Sequence, residues 1–168
     1  MKRSLSSIPI VFMVLLSLSC KTPPAAGPEP ESVSDSEKEE EFTQDHANNA
    51  FEQVYETHQF IIILEGARNY RVMKNDTASR IATRFYGRGN GYFFPLIILA
   101  SRNVILDPDL IEPGMNLIIP DLQKNLDNDD TRKGIKAFLF DMADVYENKT
   151  SRWASVTQRE LIKLAKSL

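Results

Sequence analysis

Apolar side chains fall at Phe51, Val54, Tyr55, Ile61 and Ile62, with His58 on the same stripe, at the three-and-four spacing of one helical face. The pattern predicts an amphipathic helix over residues 43–65, with Thr43 or Asp45 capping its start and Gly66 its end. The run Phe60-Ile61-Ile62-Ile63-Leu64 is also short, continuous and β-branched, which is how a buried strand reads, and the pattern leaves both readings open. His58 is expected to be packed rather than to be a ligand, because His46, the only other histidine, is distant in sequence.

Residues 69–74 alternate polar and apolar like a half-buried strand. A turn follows at Lys74-Asn75-Asp76-Thr77. Asn75 tolerates the left-handed conformation there, and Asp76 or Thr77 caps a helix carrying Ile81, Ala82, Phe85 and Tyr86. Gly87, Gly89, Asn90 and Gly91 break that helix, and Pro95 suits the first turn of a second, with Leu96, Leu99 and Ala100. Pro108 and the Glu112-Pro113-Gly114-Met115 turn lead into a short strand, 116–119. The order is strand, helix, helix, strand. Residues 122–130 read as a polar loop. Ile135, Phe138, Leu139, Met142, Val145 and Tyr146 then mark a helix over 131–148, and Ser155 to Gln158 resembles a capping box before a last helix with Leu161, Ile162, Leu164 and Ala165.

These residues carry a resemblance. Tyr70-Arg71-Val72, Asn75-Asp76-Thr77, Ile81-Ala82, Phe85-Tyr86-Gly87, Pro95-Leu96-Ile97, Asp107-Pro108-Asp109-Leu110-Ile111, Pro113-Gly114 and Leu117-Ile118-Ile119-Pro120 resemble, in order, the lysin motif or LysM domain. The resemblance covers about residues 69–120 and implies two helices packed on one side of a two-stranded antiparallel sheet. The expected fold is therefore α+β: a small βααβ LysM domain over 66–122 with flanking amphipathic helices, helix-dominated overall. Members of the family commonly bind N-acetylglucosamine-containing glycans, peptidoglycan or chitin, without cleaving them, in a groove between the first strand-helix loop and the loop leading into the second strand. Carried over by position, the glycan-binding candidates are Asn75, Asp76, Thr77 and Ala78, together with Asn103, Val104, Ile105, Leu106 and Asp107. The chain has Asn75, Ala78 and Ser101 where the family usually has Gly, Leu and Asn, and Ala78 and Ser101 are expected to touch the region where sugars would lie. An acetamide offers a donor, an acceptor and a methyl group, which a shallow groove of backbone polar groups and a few apolar contacts can match.

The flanks change the picture further. Lys2 and Arg3 precede an eleven-residue apolar core, Ile8 to Leu18, then Ser19 and Cys20. Such a run is too short to span a bilayer comfortably and reads as an export signal over 1–19. Leu16-Ser17-Leu18-Ser19-Cys20 resembles the bacterial lipobox, which implies lipidation of Cys20, usually by two or three acyl chains, and stable membrane anchoring without spanning. Residues 21–41 hold seven acidic side chains against Lys21 and Lys38, with Val33 as the lone large apolar residue, so the stretch 20–42 is expected to be a solvated, disordered tether. Its reach is at most about 70 Å, and roughly 25 Å as a flexible coil.

Composition closes off other classes. The 168 residues carry a net charge of −3, which supplies no basic field for a nucleic-acid backbone. One cysteine excludes an internal disulfide framework and any multi-cysteine metal site. Asp76, Asp107, Asp109 and Glu112 offer carboxylates for glycoside chemistry, but caps and turns account for them, so no enzyme activity, metal or cofactor is expected. The sequence reading is a noncatalytic, lipid-anchored envelope protein facing the periplasm, with peptidoglycan strands and the membrane as partners. The alternative is a lipoprotein scaffold whose LysM fold and extra helices bind an envelope protein. The extension over 123–168 and the helix over 43–65 are expected to dock on the LysM core, since about 55 residues bury little surface alone. Trp153, between the last two helices, is either a docking residue or an anchor for a partner.

Overall fold

The computed structural model describes residues 42–168. The expected signal segment, the lipidation site Cys20 and the tether up to residue 41 lie outside the described residues. Helix α1, Gln44–His58, starts at a reciprocal cap: the Thr43 hydroxyl accepts the His46 N–H, and the His46 ring accepts the Thr43 N–H. It ends well short of residue 65. The stretch after it is neither the continued helix nor the strand that the β-branched run allowed. The amide side chain of buried Asn125 accepts the Ile63 N–H at 2.7 Å and donates to the Ile63 carbonyl at 3.0 Å, so a side chain supplies the pairing a strand neighbour would have given. Phe60 is left 90% exposed.

Strand β1, Arg68–Arg71, pairs antiparallel with β2, Asn116–Ile119, in the register Arg68↔Ile119 to Arg71↔Asn116. β1 begins one residue earlier and ends three earlier than the alternation predicts, because Val72 leaves the ladder to exchange backbone hydrogen bonds with Met115 and Gly114. Asn75 adopts φ +68, and Thr77 caps helix α2, Ala78–Tyr86. A 3-10 turn, Gly91–Phe93, delivers the chain to α3, Phe94–Ala100, whose residues Phe94 to Leu99 are all buried. A helix apolar on every side belongs inside the core.

The predicted polar loop after residue 121 is instead helix α4, Leu122–Asp127, capped by Asp121; its role is to seat Asn125. Helix α5, Asp129–Asn148, and helix α6, Ala154–Ser167, pack on each other. α6 starts at Trp153 with no side-chain cap, so the capping box expected at Ser155 to Gln158 is not its start. One core runs through these elements: Phe51 and Tyr55 of α1, Ile81 of α2, Leu96 to Leu99 of α3, Leu117 and Ile119 of β2, Ile135, Phe138, Leu139 and Met142 of α5, and Leu161 and Ala165 of α6. The described residues, 42–168, fall within one compact unit with one shared core, so the flanking helices do dock on the βααβ core. His58 is packed as expected, its ring against Phe138 and its Nε2 2.6 Å from the Asp141 carboxylate.

Candidate functional site

The turn between β1 and α2 is built by Asp76, but Asp76 does not cap the helix. Its carboxylate accepts the Tyr70 hydroxyl at 2.6 Å and the Met73 N–H at 2.9 Å, and Arg84 lies 3.1 Å away, bonded also to the Tyr70 hydroxyl. Burial pushes this carboxyl up, while the Tyr70 and Met73 hydrogen bonds and the Arg84 charge outweigh burial and hold it below the ordinary carboxylate range. The Asn75 carbonyl, turned outward by the left-handed backbone, accepts from Arg80 at 3.0 Å. Thr77 accepts the Arg80 N–H, which leaves its side chain at the edge of the turn beside Ser79.

Asp76, Thr77, Ala78, Ser79 and Arg80 line one wall of a cleft of about 590 Å³. Tyr92, Phe94, Pro108, Asp109 and Ile111 line it from the LysM segment's other side, and Ser151, Trp153, Val156 and Thr157 from the start of α6. The lining mixes hydroxyls, two carboxylates, one guanidinium and several apolar side chains. That chemistry fits a neutral, hydroxyl-rich ligand with small apolar groups better than a lipid or a polyanion. Asn75 stands outside the lining.

The second predicted segment is placed elsewhere. Asn103, Val104, Ile105, Leu106 and Asp107 line a shallower depression with Asn48 and Glu52 of α1. The structure therefore does not bring the two predicted loops to one groove; from the loop before β2 it brings Pro108, Asp109 and Ile111 to the cleft instead. Asp107 is 1% exposed and its carboxylate is fully engaged, accepting from Gln44 at 2.7 Å, from Lys149 at 2.6 Å and from the Asp109 N–H at 2.9 Å. Ser101, expected near the sugars, is also buried, and its hydroxyl accepts the Ile118 N–H at 2.8 Å, tying the end of α3 to β2.

Lys149 is the residue that sequence reasoning missed. Its ammonium bridges Asp107 and Asp109 at 2.6 Å each and lies over the rings of Phe51 and Tyr146, with the side chain 6% exposed. Tyr55 donates to the Leu106 carbonyl, and burial raises the phenols of Tyr55 and Tyr146 well above their usual range, which keeps both as neutral donors. The loop before β2 is thus clamped from α1 and from the α5–α6 linker. Among the described residues, no cluster of three or more His, Cys, Asp or Glu side chains is arranged to hold a metal ion.

Residues 70–120 match the LysM domain family. No curated protein and no solved structure matches the chain. A two-stranded antiparallel sheet, two helices between its strands and an ordered family match over the same residues together identify residues 70–120 as a LysM domain, a carbohydrate-binding and typically non-catalytic module.

Proposed function

We infer that this protein is a noncatalytic, membrane-anchored envelope lipoprotein that binds peptidoglycan, or another N-acetylglucosamine-containing glycan, through its LysM domain. The cleft between the Asp76–Arg80 segment and Pro108-Asp109-Ile111 is the single observation that carries this reading. Its hydroxyls and exposed backbone serve acetamide and sugar hydroxyls, and its apolar side chains serve the methyl group and the ring faces. In this reading Asp76, Thr77 and Ala78 contact the glycan, and Asn75 sets the turn that presents them. Asn103, Val104, Ile105 and Leu106, which line the separate depression on the α1 side, are not part of the glycan site in this reading. Lipid on Cys20 holds the protein to a bacterial envelope membrane, and the acidic tether gives the domain reach toward the wall from the periplasmic side. Many anchored copies offset the weak affinity of one motif by raising effective concentration.

The scaffold reading requires an exposed apolar stripe on α5 or α6. Their apolar faces are instead spent on the core, and among the described residues the large exposed hydrophobic side chains, Phe60, Leu64, Met73, Val104, Leu110 and Trp153, form no such stripe. The test is co-sedimentation of the full chain, in mild detergent, with purified insoluble peptidoglycan. Pelleting with peptidoglycan but not with cellulose supports the reading; an equal supernatant fraction with both, across a range of salt and pH, removes it.

A further inference from the structure

The cleft is not made by the LysM segment alone. Ser151, Trp153, Val156 and Thr157 border it from the linker between α5 and α6 and from the first turns of α6, beyond the family match that ends at residue 120. Trp153 is the one tryptophan in the chain and is 60% exposed. Tryptophan is highly buried on average, so an indole left this open beside a cleft offers a large apolar face with a polar edge to whatever enters it. It is not a docking residue for the helices, because the α5–α6 contact is made without burying it.

The backbone that carries it is nonetheless held in place. Trp153 begins α6, and its carbonyl accepts the Thr157 N–H at 2.9 Å. The guanidinium of Arg152 lies 4.8 Å from the ring centroid. Four residues upstream, Lys149 is buried between Asp107 and Asp109, so the linker that carries the indole is pinned to the same loop that supplies Pro108 and Asp109 to the cleft. Ser151 lies between these two anchors; its buried hydroxyl has no hydrogen-bond partner among the described residues. Preorganisation of this kind lowers the ordering cost of binding.

We propose that Trp153 is a specificity-determining contact for the glycan: a rigid aromatic platform, supplied by the C-terminal extension, against which the C–H face of an N-acetylhexosamine ring packs. This rests on the glycan reading above and adds to it a residue outside the LysM segment. The extension then has two roles, to complete the core and to build the far wall of the cleft. An indole covers the apolar face of a pyranose while Thr77, Ser79 and Thr157 remain to meet its hydroxyls.

Because no other indole is present, emission excited at wavelengths that tyrosine does not absorb reports on Trp153 alone. The full chain in mild detergent is titrated with N-acetylglucosamine tetrasaccharide and, separately, with soluble peptidoglycan fragments, with heat and tryptophan emission recorded together. The expected result is saturable heat with a blue shift or quench of the emission at the same midpoint, affinity weakened about tenfold in Trp153→Ala, and affinity largely kept in Trp153→Phe. Circular dichroism of the variants is expected to match wild type, since the side chain is exposed. Saturable heat with unchanged affinity in Trp153→Ala overturns the platform and leaves the glycan reading standing. Neither heat nor any emission change with the two glycans, together with no pelleting by intact peptidoglycan, overturns both.

Discussion

Two side chains carry more of this structure than their neighbours in sequence would imply. Lys149 is buried between two carboxylates and over two aromatic rings, a position in which its charge is compensated only as long as Asp107 and Asp109 stay in place. Removing one member of a buried ion pair leaves the other charge uncompensated, at a cost of about 3–5 kcal/mol. Lys149→Met is therefore expected to lower stability by about that amount in urea denaturation, since it strands the buried Asp107 carboxylate. A loss below roughly 1 kcal/mol would mean that the clamp behaves as a surface pair. Asp76 makes a different prediction. Its carboxyl is held below the value it has in the unfolded chain, so the unfolded state binds more protons between the two values and stability falls as pH falls. The contribution is fully present above about pH 4 and is lost as pH drops through the lowered value. Asp76→Asn is expected to be less stable than wild type at neutral pH and to converge on it in acid; a constant gap between the two from pH 7 to pH 2 contradicts the assignment. Asn75 and Thr77 were legible in the sequence because their roles are local, one setting a left-handed turn and the other capping the next helix. Lys149 was not, because its partners lie about forty residues away, and nothing nearby distinguishes it from a solvated lysine.

At the scale of elements, patterning succeeded where one face decides the structure and failed where a distant polar group does. Strand β2 follows from the Pro-Gly turn that precedes it, and helix α2 from three-and-four spacing. The end of α1 does not. Apolar residues continue past His58, yet the backbone of Ile63 is drawn off by the side chain of Asn125 across 62 residues of sequence. The same amide donates to the Asp121 carbonyl, so α4, read from sequence as a polar loop, is a short helix whose function is to hold that amide. Gly134 on α5 belongs to the same junction: a Cβ there would lie 3.0 Å from the side chain of Ile61, so glycine in mid-helix allows the post-α1 segment to rest on the helix backbone. Asn125→Ala removes the side-chain partner of both the Ile63 N–H and the Ile63 carbonyl and is expected to cost about 2–3 kcal/mol. Hydrogen exchange should quicken first at Ile63. Unchanged protection at that amide, with native stability, would show that water replaces the asparagine without loss.

Across the described residues, the LysM segment, the helix before it and the three after it share one hydrophobic core, and the same extension that completes the core also walls the cleft. A resemblance confined to residues 69–120 identified the module, and the structure divides its expected groove residues between two depressions. The reason is physical: in this chain α1 and Lys149 occupy the flank of the loop before β2, so Asn103 to Asp107 face α1, while Pro108, Asp109 and Ile111 turn toward α2 and α6. Under the proposed function the α2-side cleft, and not the α1-side depression, takes the glycan. Ser79→Trp places a large side chain in the cleft from a half-buried position that leaves the Thr77 cap intact, and Ile105→Arg alters the depression. The measurement is the fraction of full chain pelleted by purified peptidoglycan for wild type and for each variant, with circular dichroism confirming the fold. The expected result is binding by wild type and Ile105→Arg and near-complete loss in Ser79→Trp; retained binding in Ser79→Trp, or loss confined to Ile105→Arg, contradicts the account.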